Sequence, residues 1–293
     1  MVRRLRRISI LLLLAIGFDR VYRSTLVGLV GEWLSSPESS YGLILAGTAI
    51  VVAFQRWPQF VTASTAEGRG LAGLGLAASG GLLFVVGQLG ADLFLTRVSF
   101  VLLASGALWA LTGPSAMRIM AAPLAFLLIA IPLPTLVVNE ITLPLQLAAS
   151  QVAETTLAMA SVPVFRDGNL LVLPSATLQV AEACSGLRSA VSLGAVGVLL
   201  AWATEPTAIR RVALVTATLP IAVVMNGLRV AATGAFTETV GHPPGSELHG
   251  FMGWVTFLVS IAVLMALQRL SPAPALPEKT LEPGRAALAG DLA

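Results

Sequence analysis

Long runs of apolar residues recur along this chain from Ile8 to Leu267. A bilayer has a hydrocarbon core about 30 Å thick, and a helix rises about 1.5 Å per residue, so a run of about 20 apolar residues can cross it. Helices and closed barrels are the only structures that satisfy every backbone hydrogen bond inside a bilayer. The charged share of 11% is far below the roughly 25% of soluble domains, which excludes a soluble globule. The sequence therefore predicts an all-α polytopic membrane protein.

The apolar pattern predicts about eight transmembrane helices. They are placed at residues 8–18, 41–54, 71–89, 98–111, 119–138, 187–202, 212–235 and 251–267. Asp19 and Arg20 interrupt the first span, and charged side chains inside a bilayer are costly. We therefore expect residues 19–34 to form a separate surface helix on the outer side, anchored by Tyr22 and Trp33.

Basic residues are distributed unevenly between the two sets of predicted loops. If the arginine cluster within residues 3–7 stays in the cytoplasm, alternation of the spans puts most of the 18 Lys and Arg residues on that side, as expected for cytoplasmic loops. Both termini are then cytoplasmic. The arginines are scattered among short loops and do not form one basic face, so we expect the lipid bilayer as a partner and not nucleic acid.

Residues 1–270 are expected to form one transmembrane domain, and the Pro- and Ala-rich residues 271–293 a disordered cytoplasmic tail. The longest segment between spans, 139–185, falls on the outer side. Its first half has helical apolar spacing, and its second half has two β-rich runs around the Asp-Gly-Asn turn signal at 167–169. We expect a small extracytoplasmic helix-plus-hairpin segment that leads to Cys184.

Cys184 is the single cysteine of the chain, which excludes an internal disulfide and a cysteine-rich metal site. A lone cysteine in a membrane helix is usually a small buried hydrophobe. Here, however, Ser185 and Gly186 permit a turn into the next span, and this turn puts the thiol near the N-terminus of that helix. The positive end of a helix dipole favours the thiolate, which is the nucleophilic form. Cys184 is therefore a candidate nucleophile, and we expect neither a metal nor another cofactor.

Topology brings two more groups to the same membrane depth. Arg229 lies about 17 residues into the seventh span, roughly 26 Å of helical rise, and so near the outer interface. His249 directly precedes the eighth span on the same side, and His242 is an ordinary loop histidine for comparison. Asn226, one turn before Arg229, either orients it or joins two helices. A snorkelling arginine and an idle histidine are the plain alternative, but a nucleophile, a cation and an imidazole at one depth favour a catalytic site.

The motifs AEACSGLRS, NGLRV and HGFMGW follow one another across three consecutive predicted spans. In this order they resemble the signature of the exosortase/archaeosortase family, and its bacterial exosortase branch in particular. The similarity extends over roughly residues 119–255. The amino-terminal half agrees less well, because family members often carry Tyr-Ser-His-Gly after a tryptophan, whereas here Trp33 is followed by Ser-Ser-Tyr-Gly at 39–42.

The resemblance implies a membrane-embedded cysteine protease or transpeptidase that is linked to surface protein sorting and exopolysaccharide production. Its partners would be membrane-anchored proteins with a C-terminal sorting signal, made of a short motif of the Pro-Glu-Pro type, a membrane helix and a basic end. By the same resemblance the catalytic residues are Cys184, Arg229 and His249, at an extracytoplasmic site. The alternatives are a multi-pass transporter and a non-catalytic component of polysaccharide export, in which the cysteine is dispensable.

Overall fold

The structure is a computed structural model that describes residues 2–36, 38–64, 71–180, 187–241 and 246–270. Within these ranges it contains nine α-helices and one small three-stranded sheet, so the predicted all-α class is confirmed. The helices are α1 (Val2–Ser35), α2 (Tyr41–Ala63), α3 (Leu71–Leu89), α4 (Leu93–Thr112), α5 (Pro114–Ile129), α6 (Thr135–Met159), α7 (Leu187–Thr204), α8 (Ala208–Val240) and α9 (Ser246–Leu270). The strands are β1 (Phe165–Asp167), β2 (Leu170–Val172) and β3 (Thr177–Gln179). The predicted tail at 271–293 lies outside the described residues.

Several helix boundaries follow local sequence signals. The Asp92 side chain caps α4 by accepting a hydrogen bond from the Leu95 backbone N–H at 2.8 Å. Pro114 occupies the start of α5, where a missing N–H leaves no helical bond unmade. Gly241 ends α8 in the left-handed region at φ 81°, which glycine adopts without a Cβ clash.

Four helices are long and apolar enough to cross a membrane, counted over the described part of the chain. They are α3, α4, α8 and the Gly250–Leu270 portion of α9. Helix α5 and the Arg188–Thr204 portion of α7 are shorter apolar helices. The chain is thus a helical membrane protein, but the predicted count of eight spans is not supported.

The first 35 residues differ from the prediction, because α1 is one continuous helix. The predicted division into a span at 8–18 and a separate surface helix at 19–34 is wrong. Polar contacts with α4 hold the second half of α1. The Tyr22 hydroxyl lies 3.0 Å from Ser99 Oγ, and Glu32 forms a salt bridge of 2.7 Å with the buried Arg97. Tertiary contacts therefore continue the helix past the charged residues that favoured a break.

The predicted span at 119–138 is also wrong as a single helix, since α5 ends at Ile129 and α6 begins at Thr135. Pro132 and Pro134 lie between them. Proline lacks the backbone N–H that a helix needs, and it disfavours helical geometry in the residue before it. The predicted span is therefore divided into two helices, which the apolar pattern does not reveal.

The indole of Trp33 caps the C-terminal end of α5. Its Nε1 donates a hydrogen bond of 3.0 Å to the backbone carbonyl of Ala130, which follows the last residue of the helix. Gly42 at the start of α2 lies against this indole, and a Cβ at that position would overlap the ring. Trp33 is thus buried among α1, α2 and α5 and is not an interfacial anchor.

Helices α3 and α4 approach each other along glycines. Gly73, Gly80 and Gly87 are the buried residues of α3 and recur at every seventh position. A Cβ on Gly80 would lie 2.5 Å from the backbone nitrogen of Leu103 in α4. Backbone-to-backbone contact of this kind is typical of helices that associate within membranes, where small residues permit dispersion contacts over a long seam.

We expect Gly80→Ala to destabilise the protein by about 1 to 3 kcal/mol, the usual cost of overpacking a tight contact. Gly81→Ala is the matched control, because a Cβ there has no other heavy atom within 4 Å and alanine is the better helix former. Thermal unfolding in detergent micelles measures both. Equal midpoints for the two variants would show that α3 and α4 do not depend on this seam.

Residues 139–180 contain the predicted helix and the predicted turn. Helix α6 covers the residues with helical spacing, and β1 pairs with β2 across the Asp-Gly-Asn turn, where Gly168 has φ 61°. A third strand, β3, pairs antiparallel with β2 and was not predicted. The sheet packs on α6 and α8 through a buried apolar cluster.

Candidate active site

Arg229 lies on α8 and its guanidinium reaches α9. A Cβ built on Gly253 would lie 3.3 Å from Arg229 Nη1, so the glycine leaves room for the cation. One turn further along α8, Thr233 Oγ1 lies 4.0 Å from Met252 Sδ. The two helices are therefore in contact at this level, and the half-buried arginine is directed at the first turns of α9.

Position 249 lies in the first turn of α9. It precedes Gly253 by four residues, and residues with that spacing share one face of a helix. The face of α9 that carries position 249 is therefore the one that Arg229 approaches. The side chain of His249 lies outside the described part of the chain, as does the control residue His242.

Cys184, Ser185 and Gly186 belong to residues 181–186, which lie outside the described residues. The chain before this segment is described up to Val180, which is 1% exposed. Val180 shares a buried apolar cluster with the two α8 residues that directly follow Arg229, namely Val230 and Ala231. The segment with the cysteine therefore begins next to the part of α8 that carries the arginine.

The next described residue is Leu187, the first residue of α7. A short connection joins α7 to α8, and the two helices run antiparallel, with Gly197 packed against Thr218. Leu187 precedes Gly197 by as many residues as Leu228 follows Thr218, so Leu187 lies level with Leu228. Both ends of the segment that contains Cys184 thus lie at the level of Arg229.

The NGLR motif also contains a packing element. Asn226 is 2% exposed, and Gly227 lies against α6, where a Cβ would come within 2.5 Å of the Val152 side chain and 2.9 Å of the Ala149 carbonyl oxygen. Gly227 was not among the predicted site residues. Its missing side chain lets α6 approach α8 two residues before Arg229, and no local sequence signal indicates such a contact between distant helices.

The ion pair at the start of α7 is exposed. Arg188 at the start of α7 forms a salt bridge of 3.6 Å with Glu38, which precedes α2, and both side chains are more than half exposed. Such pairs contribute little stability. The pair nevertheless shows that the connection between α1 and α2 reaches the beginning of α7.

Among the residues described, no group of three His, Cys, Asp or Glu is arranged to hold a metal ion.

The family model of the transmembrane exosortases matches residues 33–266, from Trp33 in α1 into the last turns of α9. The match covers the predicted region of similarity and extends it through the amino-terminal half. Searches of curated proteins and of solved structures gave no match. The match takes in well over half of the chain, including α8, the start of α9 and the segment with the single cysteine, and the chain therefore belongs to the transmembrane exosortase family.

Proposed function

We propose that this exosortase is a cysteine peptidase or transpeptidase in which Cys184 is the nucleophile and Arg229 and His249 assist it. One observation supports the proposal above all. Both ends of the segment with Cys184, and the face of α9 with position 249, converge on Arg229 from three different elements. A nucleophile, a cation and an imidazole that lie close together can serve as the nucleophile, the oxyanion stabiliser and the general acid or base of a cysteine hydrolase.

In the proposed reaction, the Cys184 thiolate attacks the carbonyl carbon of the scissile peptide bond. The carbonyl electrons move onto oxygen, and the Arg229 guanidinium stabilises both the thiolate and this oxyanion. When the intermediate collapses, the C–N bond breaks, a thioester forms, and the departing amine takes a proton from His249. Water or an acceptor amine then attacks the thioester, His249 takes up its proton, and the thiolate is regenerated.

The proposed substrates are exported proteins that are anchored in the membrane by a C-terminal sorting signal. Such a signal has a short motif followed by an apolar helix and a basic end. A site at the end of a helical bundle is suited to a substrate whose helix lies alongside in the bilayer and brings the motif to a fixed depth. We place the site on the extracytoplasmic face of the cell inner membrane, with both termini in the cytoplasm.

The proposal is tested by trapping the thioester. A membrane-anchored reporter with a Pro-Glu-Pro type signal is incubated with the purified enzyme in detergent, quenched in acid and analysed by mass spectrometry. We expect an adduct on Cys184 with the mass of the reporter portion before the cleavage site, and neutral hydroxylamine should release it. Cys184→Ser is the control, because a serine ester resists neutral hydroxylamine. Cleavage of the reporter with no labile adduct on the cysteine would contradict the proposal.

A further inference from the structure

Asn169 forms hydrogen bonds with both the backbone N–H and the backbone carbonyl of Val180. Its backbone carbonyl accepts a hydrogen bond of 2.9 Å from the Val180 N–H, and its side-chain Nδ2 donates one of 3.3 Å to the Val180 carbonyl. The neighbouring pair in the sheet is Leu170 with Gln179, so Asn169 and Val180 extend the β2–β3 ladder by one step. Val180 is consequently fixed by a side chain as well as by strand pairing.

The same amide is tied to α6. Asn169 Nδ2 also donates to Gln146 Oε1 at 3.1 Å, and Gln146 is 7% exposed. The turn before Asn169 has its own anchor, since Ser150 Oγ donates to the Gly168 carbonyl at 3.0 Å. A buried polar group that loses its partner costs about 1 to 3 kcal/mol, so this connection resists displacement.

Val180 precedes Cys184 by four residues and belongs to the same buried apolar cluster as Val230 and Ala231 of α8. We propose that Asn169 and Gln146 are positioning residues, which fix where the segment with Cys184 leaves the sheet relative to Arg229. The proposal rests on the proposed function for its catalytic meaning. A displacement of about 1 Å at a reacting group is enough to lower a rate by about 10²-fold, so such an anchor has kinetic consequences without touching the substrate.

The single cysteine provides a direct test, because alkylation of the intact enzyme by iodoacetamide reports Cys184 alone. At a fixed neutral pH we expect Asn169→Ala to slow alkylation by about three- to tenfold, since a thiol held away from Arg229 has a smaller thiolate fraction. Gln146→Leu removes the anchor from the α6 side and should act in the same direction. It also keeps the proposal testable if Asn169→Ala fails to accumulate.

A double-substitution cycle separates positioning from a general loss of stability. Arg229→Gln should slow alkylation by a similar factor in the wild-type background and by less than twofold in the Asn169→Ala background. In the reporter assay, Asn169→Ala should lower kcat with KM unchanged. An undiminished effect of Arg229→Gln in the Asn169→Ala background would overturn the proposal.

Two nearby substitutions serve as matched controls. Gln179 is exposed beside Val180, and Ser175 ties the sheet to α8 through two hydrogen bonds to Glu238 Oε1, of 3.0 Å from its N–H and 2.6 Å from its Oγ. Gln179→Ala and Ser175→Ala should each leave the alkylation rate within twofold of wild type. A loss in Ser175→Ala as large as in Asn169→Ala would mean that docking of the whole sheet matters and would overturn the specific role of Asn169.

The outcome does not depend on peptidase activity. If a variant without the thiol still processed the reporter, the proposed function would fail, yet slowed alkylation in Asn169→Ala would still support positioning of Cys184 by Asn169. Conversely, alkylation within twofold of wild type in both Asn169→Ala and Gln146→Leu would overturn the positioning role and leave the proposed function untouched.

Discussion

Cys184→Ala is expected to abolish processing of a membrane-anchored reporter while the variant still accumulates in the membrane. No other side chain of the chain offers a thiol, so no thioester forms. Removal of a catalytic nucleophile typically lowers kcat by about 10⁶-fold, which puts turnover below detection. The ratio of precursor to product on an immunoblot measures processing, and the same blot probed for the enzyme measures its accumulation.

Ser189→Ala is the matched control for that experiment. Ser189 is a half-buried residue at the start of α7, close in sequence to the cysteine, and its substitution removes one γ-oxygen as Cys184→Ala removes one sulfur. It should process the reporter at the wild-type rate. Unchanged processing by Cys184→Ala would instead favour the transporter or the non-catalytic export component, for which the thiol is dispensable.

His249→Ala should lower turnover by about 10² to 10⁴-fold, the usual contribution of a general acid or base. Position 249 lies one turn before Gly253, so it shares the face of α9 that the Arg229 guanidinium approaches. The measurement is kcat for the reporter at saturating concentration, with the variant quantified by alkylation of its single cysteine.

His242→Ala is the comparison, because the chain has two histidines and both follow α8 closely in sequence. His242 comes directly after Gly241, which caps α8. Its loss should leave turnover within a fewfold of wild type. Equal losses in the two variants, or a larger loss in His242→Ala, would show that the assignment of the catalytic imidazole to position 249 is wrong.

The apolar pattern predicted those helices best whose sequence has no competing signal. Helix α3 begins and ends where its uninterrupted apolar run does, at 71 and 89. The pattern failed where contacts between distant segments decide the outcome. Glu32 forms a salt bridge with Arg97, which is far away in sequence, and this contact favours a continuous α1. Residues 19–34 alone do not indicate such a salt bridge.

The candidate site was predictable only in part, for a similar reason. Arg229, Asn226 and His249 were predicted from the chemistry of their side chains and from the depth that the predicted order of spans gives them. Gly227 and Gly253 act by the space that a missing side chain leaves for α6 and for the arginine. Asn169 acts through an amide that bridges a strand and a helix. Shape and bridging contacts depend on which elements meet, and span order does not specify that.

The hydrogen bond by which Trp33 caps the end of α5 restricts which residues can occur together at positions 33 and 42 in homologous sequences. A smaller side chain at 33 leaves the buried Ala130 carbonyl without its indole donor, which costs about 1 to 3 kcal/mol. A larger side chain at 42 overlaps the ring that supplies this donor. Tryptophan at 33 and glycine at 42 are therefore expected to covary as one unit.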